Sequence, residues 1–146
     1  MAQSITEEAE LLTRKRARVM PVLAVLLISQ QAVYFNELGS RGAQNFKIGA
    51  WLVLALILLA GLATGGAWFS RRDVRELIDD ETTREHRGRA YAAGFWAAMG
   101  GAILLYVVDM FELVSGRDAI HIIMTAGIGA ALLTFGKLER RALRDA

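Results

Sequence analysis

The stretch Ile48 to Phe69, IGAWLVLALILLAGLATGGAWF, carries no charged side chain over its whole length. About 20 consecutive apolar residues cross the hydrocarbon core of a bilayer as a helix, so this run predicts a membrane span and not the core helix of a soluble domain. Residues 19–36, 89–111 and 119–136 behave similarly, and with 48–70 they predict four spans. The hydrophobic content is 54% of 146 residues, and the four segments take up more than half of the chain, leaving too little for a separate soluble domain. The expected fold is therefore all-α. It is an integral membrane four-helix bundle, a single domain over 1–146, with short loops and a projecting cytoplasmic helical hairpin.

Orientation follows from the cations. Of the 17 Lys and Arg residues, four precede the first span (Arg14, Lys15, Arg16, Arg18), six lie in the 70–89 loop and four in the 137–146 tail. Only Arg41, Lys47 and Arg117 fall in the other two connections. By the positive-inside rule both termini and the central loop face the cytoplasm.

No cysteine is present, which excludes a thiol–disulfide relay. His86 and His121 fall on opposite sides of the membrane in this topology, so they cannot both ligate one haem within a chain. No resident cofactor or metal is expected. The formal net charge of +2 comes without the concentrated basic face that direct nucleic-acid binding needs. An intramembrane enzyme would need a nucleophile with its base, or clustered ligands, at depth; the spans offer scattered Ser, Thr and Gln, so the chain reads as a non-enzyme.

At the amino end, Ser4 and Glu7 have the spacing of a capping box. Acids Glu7, Glu8 and Glu10 followed by the four cations suit the dipole of a helix over 1–18. Two readings stay open: an amphipathic helix on the inner leaflet, or a solvated lead-in. The first span starts with Pro21 in its first turn, where a missing N–H costs nothing. No small-residue cleavage pattern follows Ser29-Gln30-Gln31, which argues against a signal peptide. These amides are expected to face the bundle, because lipid gives them no partner. Small drug–proton exchangers resemble the chain in size and span number but carry an acid within the first span, where this sequence has Gln30 and Gln31.

Small residues at helical spacing let backbones approach. On that ground Gly61 and Gly65 in the second span, and Gly94 and Gly101 in the third, are expected packing positions, within the monomer or in a homodimer. Asp109, near the outer end of the third span, is costly against lipid and is by default a functional candidate. Glu112 lies one turn on, and His121 opens the fourth span on the same side. The three are read either as a cation or pH site or as an interfacial hydrogen-bonded cluster.

The central loop matches its six arginines with six acids: Asp73, Glu76, Asp79, Asp80, Glu81 and Glu85. Mixed signs at helical spacing, such as Asp80 with Arg84 and Glu85 with Arg89, describe a salt-bridged helix in water. Val74, Leu77 and Ile78 form a small apolar patch, and Asp79 or Asp80 is a natural N-cap for the ascending arm. The hairpin tip is expected near Ile78 to Glu81.

Leu77-Ile78-Asp79-Asp80-Glu81, followed by Arg84 and Ala90 between the second and third spans, resembles the inner loop of an uncharacterised group of small bacterial four-helix membrane proteins. In that group a Leu-x-Asp-Glu-type motif leads into an arginine and an alanine. Its members are often encoded beside short helix-turn-helix regulators, which implies a tether or inhibitor of such a regulator in the bacterial inner (cytoplasmic) membrane. The expected function is a non-enzymatic membrane regulator or adaptor that binds a cytoplasmic protein through Val74, Leu77, Ile78, Asp79, Asp80, Glu81 and Arg84. The alternatives are a small dimeric cation- or proton-coupled transporter or channel, and an accessory subunit of a larger membrane complex.

Overall fold

The computed structural model describes the backbone of residues 2–34, 41–65 and 81–145, and the side chains of residue 7, residues 10–31, 46–65 and 81–145. Four helices account for almost all of it: α1 Ala2–Tyr34, α2 Arg41–Ala63, α3 Glu81–Asp109 and α4 Gly116–Asp145. Among the described residues there is no strand. Three helices, α2 (over Phe46–Ala63), α3 and α4, are long and apolar enough to cross a membrane.

α4 is the axis of the bundle. It packs along much of α1 and α3 and meets α2 more sparsely, and α1 touches α2 only lightly. The core is a stripe on each of α1, α2 and α4, with one residue from α3: Met20, Ala24 and Leu27 on α1, Trp51, Ala55, Leu58 and Leu62 on α2, Ile128, Ala131, Leu132 and Phe135 on α4, and Ala90 on α3. These positions recur at three- and four-residue steps, the period of one helix face. The remaining apolar faces point outward. Only 6% of the most apolar window of α3 is buried against 44% of that of α4, so Phe95, Trp96, Met99, Ile103 and Leu104 form an outer wall.

Close approach is set by glycine at two crossings. A Cβ on Gly94 would stand 2.8 Å from the Gly127 carbonyl oxygen and 3.0 Å from the Ala131 Cβ, and one on Gly127 would stand 3.2 Å from the Ala98 Cβ and from the Gly94 carbonyl oxygen. Lipid is as apolar as the helices, so such backbone contact replaces hydrophobic burial as the force holding α3 to α4. Gly94 thus packs as expected. Inside the monomer nothing lies within 4 Å of the Gly61 Cβ position, and Gly101 meets only the Ala126 Cβ at 4.0 Å.

The second crossing explains a departure from the expected first span. α1 runs unbroken through Pro21, so the proline is not a first-turn residue, and the helix begins at Ala2, ahead of the expected Ser4 cap. A proline inside a helix removes one hydrogen bond and crowds the preceding turn. Its ring is received by Gly136 on α4, where a Cβ would lie 2.6 Å from the Pro21 Cδ and Cγ.

α2 begins at Arg41, so residues 41–47 are helical where a loop was expected. It ends earlier than the uncharged run. The Thr64 amide and hydroxyl donate to the Ala60 carbonyl at 3.0 and 2.9 Å, and Gly65, at φ 62°, closes the terminus through its amide to the Leu62 carbonyl. A left-handed residue after the last turn is the usual glycine stop. Between α3 and α4, Ser115 caps α4: its Oγ accepts from the Asp118 amide at 3.1 Å and donates to Asp118 Oδ2 at 2.6 Å.

Candidate functional site

Each core stripe, followed to one end of the bundle, runs into a polar group. On α1 the step below Met20 is Arg16; on α4 the step beyond Phe135 is Glu139; below Ala90 on α3 are His86 and Thr83; beyond Leu62 on α2 is Gly65. All four side chains are buried, Arg16 at 7% and Glu139 at 3% exposure.

Arg16 is the hub. Its Nη1 donates to the Gly65 carbonyl at 2.8 Å, and its Nη2 reaches Glu139 Oε2 at 2.5 Å and Thr83 Oγ1 at 3.3 Å. The guanidinium also lies over the Phe135 ring, 5.3 Å from its centroid, within cation–π range. The second oxygen of Glu139 stands 3.1 Å from His86 Nδ1. A carboxylate paired with arginine only accepts, so the imidazole proton sits on Nδ1. Two more arginines brace the rim: Arg87 Nη1 donates to the Ala63 carbonyl at 2.8 Å and Arg140 Nε to the Ala17 carbonyl at 3.0 Å. Arg87 thereby serves one of the carbonyls that the end of α2 leaves without a helical donor.

The chemistry of this arrangement is that of a clamp. Opposite charges cancel inside the protein, both oxygens of Glu139 are engaged, and one planar guanidinium, with donors in a fixed fork, ties α1 to α4, to the start of α3 and to the turn after α2. Arg16 holds Gly65 and Thr83 at once, so it bridges the two ends of the 66–80 segment.

The other expected residues are distributed as follows. Val74, Leu77, Ile78, Asp79 and Asp80 lie outside the described residues, as do the expected hairpin tip up to Asp80 and the end of the uncharged run. Glu81 opens α3 and is exposed, as is Arg84. Glu85 and Arg89 pair at 2.6 Å as expected, both well exposed. Gly65 acts through its conformation and its carbonyl, not through a helix crossing.

Asp109, Glu112 and His121 do not form a group that could hold a metal ion. Asp109 Oδ1 accepts from the Val114 amide at 2.9 Å and so organises its own turn, while Glu112 is exposed. His121 is buried and stacks on Trp51, ring centroids 4.1 Å apart at 24°. Among the described residues no group of three or more His, Asp or Glu could hold a metal ion. His121 and Glu139 are 18 residues apart on α4, about 27 Å along a helix, so His121 and the His86 that meets Glu139 lie at opposite ends of the bundle.

Sequence reasoning passed over Arg16, Thr83, His86 and Glu139 as a set, and Gly127 and Gly136 with them. A signal was present: extending the stripe at 20, 24 and 27 back one turn reaches a cation, and extending that at 128, 132 and 135 forward one turn reaches an anion.

Comparison with known proteins gives no match: no family model fits the chain, and neither curated proteins nor solved structures match it.

Proposed function

We propose that this chain is a non-enzymatic four-span protein of the bacterial inner membrane, with both termini cytoplasmic, and that its 66–80 segment and the start of α3 form a docking surface for a cytoplasmic protein. The observation that carries the reading is the Arg16 clamp, which fixes both ends of that segment through Gly65 and Thr83. A loop anchored on a buried ion pair loses less freedom on binding than one hung from frayed helix ends, and such preorganisation raises affinity. Length supports the same reading, because helix–helix connections usually take about 2 to 8 residues. An apolar patch beside charges, here Val74, Leu77 and Ile78 with Asp79, Asp80, Glu81 and Arg84, is the composition of a protein contact.

Three observations favour the topology. The clamp brings Arg16, Gly65, Thr83 and Glu139 together at one end, so described residues from the amino-terminal, central and carboxyl-terminal charged stretches meet there, the arrangement that a shared cytoplasmic side calls for. α2, α3 and α4 qualify as spans. The 33 residues of α1, about 50 Å of helix, are long enough to be the fourth. The kind of partner, a helix-turn-helix regulator, rests on the resemblance of the Leu77 to Arg84 stretch.

Purification from native membranes tests the proposal. Leu77→Ala with Ile78→Ala, or charge reversal at Asp80 and Glu81, is expected to remove one co-purifying cytoplasmic protein while leaving the amount and melting temperature of the chain unchanged. Loss of stability instead would mean that the patch packs within the chain. Retention of every partner would refute docking at this surface.

A further inference from the structure

Outside the clamp, on the surface between the charged half of α1 and the end of α4, lies a cleft of about 980 Å³. Six of its lining residues are cations, Arg14, Arg18, Lys137, Arg140, Arg141 and Arg144, and among the described residues no carboxylate lines it. Elsewhere the protein balances its charges: Arg16 meets Glu139, Arg89 meets Glu85, and the 70–89 stretch carries six of each sign. Arg14 is 3.9 Å from Glu10 with both side chains exposed, a pairing of little worth. Arg18, Lys137, Arg141 and Arg144 form no ion pair with any described carboxylate. Like charges gathered around one space repel unless an anion enters it, and the local potential draws one in.

The floor of the cleft identifies the kind of anion. Pro21 and Leu133 lie toward the middle of the bundle, whereas Arg14, Arg141 and Arg144 lie toward its end. From Pro21 the outer face of α1 continues into exposed Val22, Val25 and Leu26, with no polar residue between them and the span. The gradient from cations to apolar wall is that of a phospholipid at the inner interface, phosphate outward and acyl chain inward. We infer that this cleft binds one anionic phospholipid, its phosphate held among Arg18, Lys137 and Arg141 and its first acyl carbons against Pro21 and Leu133. The assignment uses the orientation given above but is independent of any docking at the 66–80 segment. Arginine presents a planar fork to phosphate oxygens, and lysine a point charge, so the set suits a phosphodiester. Arg140 spends its Nε on the Ala17 carbonyl, which fixes the spacing of α1 and α4 and so the width of the cleft.

Delipidated full-length protein in neutral detergent tests this by native mass spectrometry with titrated phosphatidylglycerol, phosphatidylcholine and soluble glycerol phosphate. One phosphatidylglycerol is expected to bind at least about tenfold more tightly than phosphatidylcholine. Glycerol phosphate is expected neither to bind comparably nor to displace it. Each cation near an anionic lipid contributes about a fivefold factor, so Arg18→Gln, Lys137→Gln and Arg141→Gln combined should weaken phosphatidylglycerol binding about 100-fold. Should that triple variant lose its melting transition, Lys137→Gln and Arg141→Gln taken singly should each show about a fivefold loss. Removing two cations elsewhere, Arg89→Gln and Arg117→Gln, should leave binding within about twofold, well inside the fivefold expected of one cleft cation. Equal binding of both lipids, unchanged affinity in the cleft variants, or equal loss in the control would overturn the inference. Competition by glycerol phosphate would overturn the lipid as occupant and leave a soluble phosphate compound in its place.

Discussion

Replacing Glu139 by Met strips the Arg16 guanidinium, 7% exposed, of its counter-ion and leaves its other acceptors, the Gly65 carbonyl and Thr83 Oγ1, to hold a full charge away from water. Breaking one partner of a buried pair costs about 3–5 kcal/mol. Arg16→Met does comparable damage from the other side, since Glu139 keeps a buried negative charge and the Gly65 carbonyl loses its donor, each unsatisfied group costing about 1–3 kcal/mol. The double variant removes both charges and puts two flexible apolar chains in their place, a change that is often neutral or stabilising. It still leaves His86 without its acceptor and Gly65 without its donor, so we expect it to cost about 2 kcal/mol, less than either single change. Simple addition would give about 6–10 kcal/mol. Arg16→Lys keeps the charge but cannot present one planar fork to Gly65, Thr83 and Glu139 over the Phe135 ring, and is expected to fall between wild type and Arg16→Met. Reversible unfolding in mixed micelles, run as a double-mutant cycle, measures all four species. If the two single changes each cost less than about 1 kcal/mol, or add to within about 0.5 kcal/mol as independent sites do, the clamp is not a coupled unit.

Three further outcomes follow from the packing and the topology. Gly94→Leu is expected to disrupt the α3–α4 crossing, because even a Cβ meets the Gly127 carbonyl oxygen at 2.8 Å, whereas Gly61→Leu points into open space and should leave the melting temperature of the monomer in detergent unchanged. Gly136→Ala, whose Cβ falls 2.6 Å from the Pro21 ring, should cost about 1–3 kcal/mol by overpacking, with much of the loss recovered in Gly136→Ala combined with Pro21→Ala. Reporter fusions after residues 79 and 146 should report cytoplasm and those at 42 and 116 the opposite side, since ten of the seventeen Lys and Arg residues flank the former and three the latter; reversal at any two sites would contradict the orientation.

Much of the fold was legible because it rests on composition over whole turns. The charge-free run from Ile48 predicts α2, whereas Asp79 and Asp80, read as caps for the helix that follows, lie outside the described residues. Contacts between helices were less legible. Gly61 and Gly94 sit in equally convincing small-residue patterns, and only the face that meets α4 separates them. Pro21 reads as a helix start until the facing Gly136 is known, since the room for its ring lies 115 positions away in sequence. Asp109 looked like an intramembrane acid in search of a partner, yet it spends its carboxylate on the Val114 amide, as a loop acid does. Arg16 and Glu139 were hidden by their surroundings. Each stands among other charges at a span end, and what sets them apart is that they continue the apolar stripe inward while neighbours such as Lys15 and Arg141 are exposed.

A photo-activated cross-linker in place of Leu77, irradiated in intact cells, tests the docking surface most directly. The account predicts one adduct to a cytoplasmic protein, identifiable by mass spectrometry and lost when Asp80→Lys and Glu81→Lys are introduced into the same chain. Adducts confined to lipid or to the chain itself, with the charge reversals without effect, would contradict it.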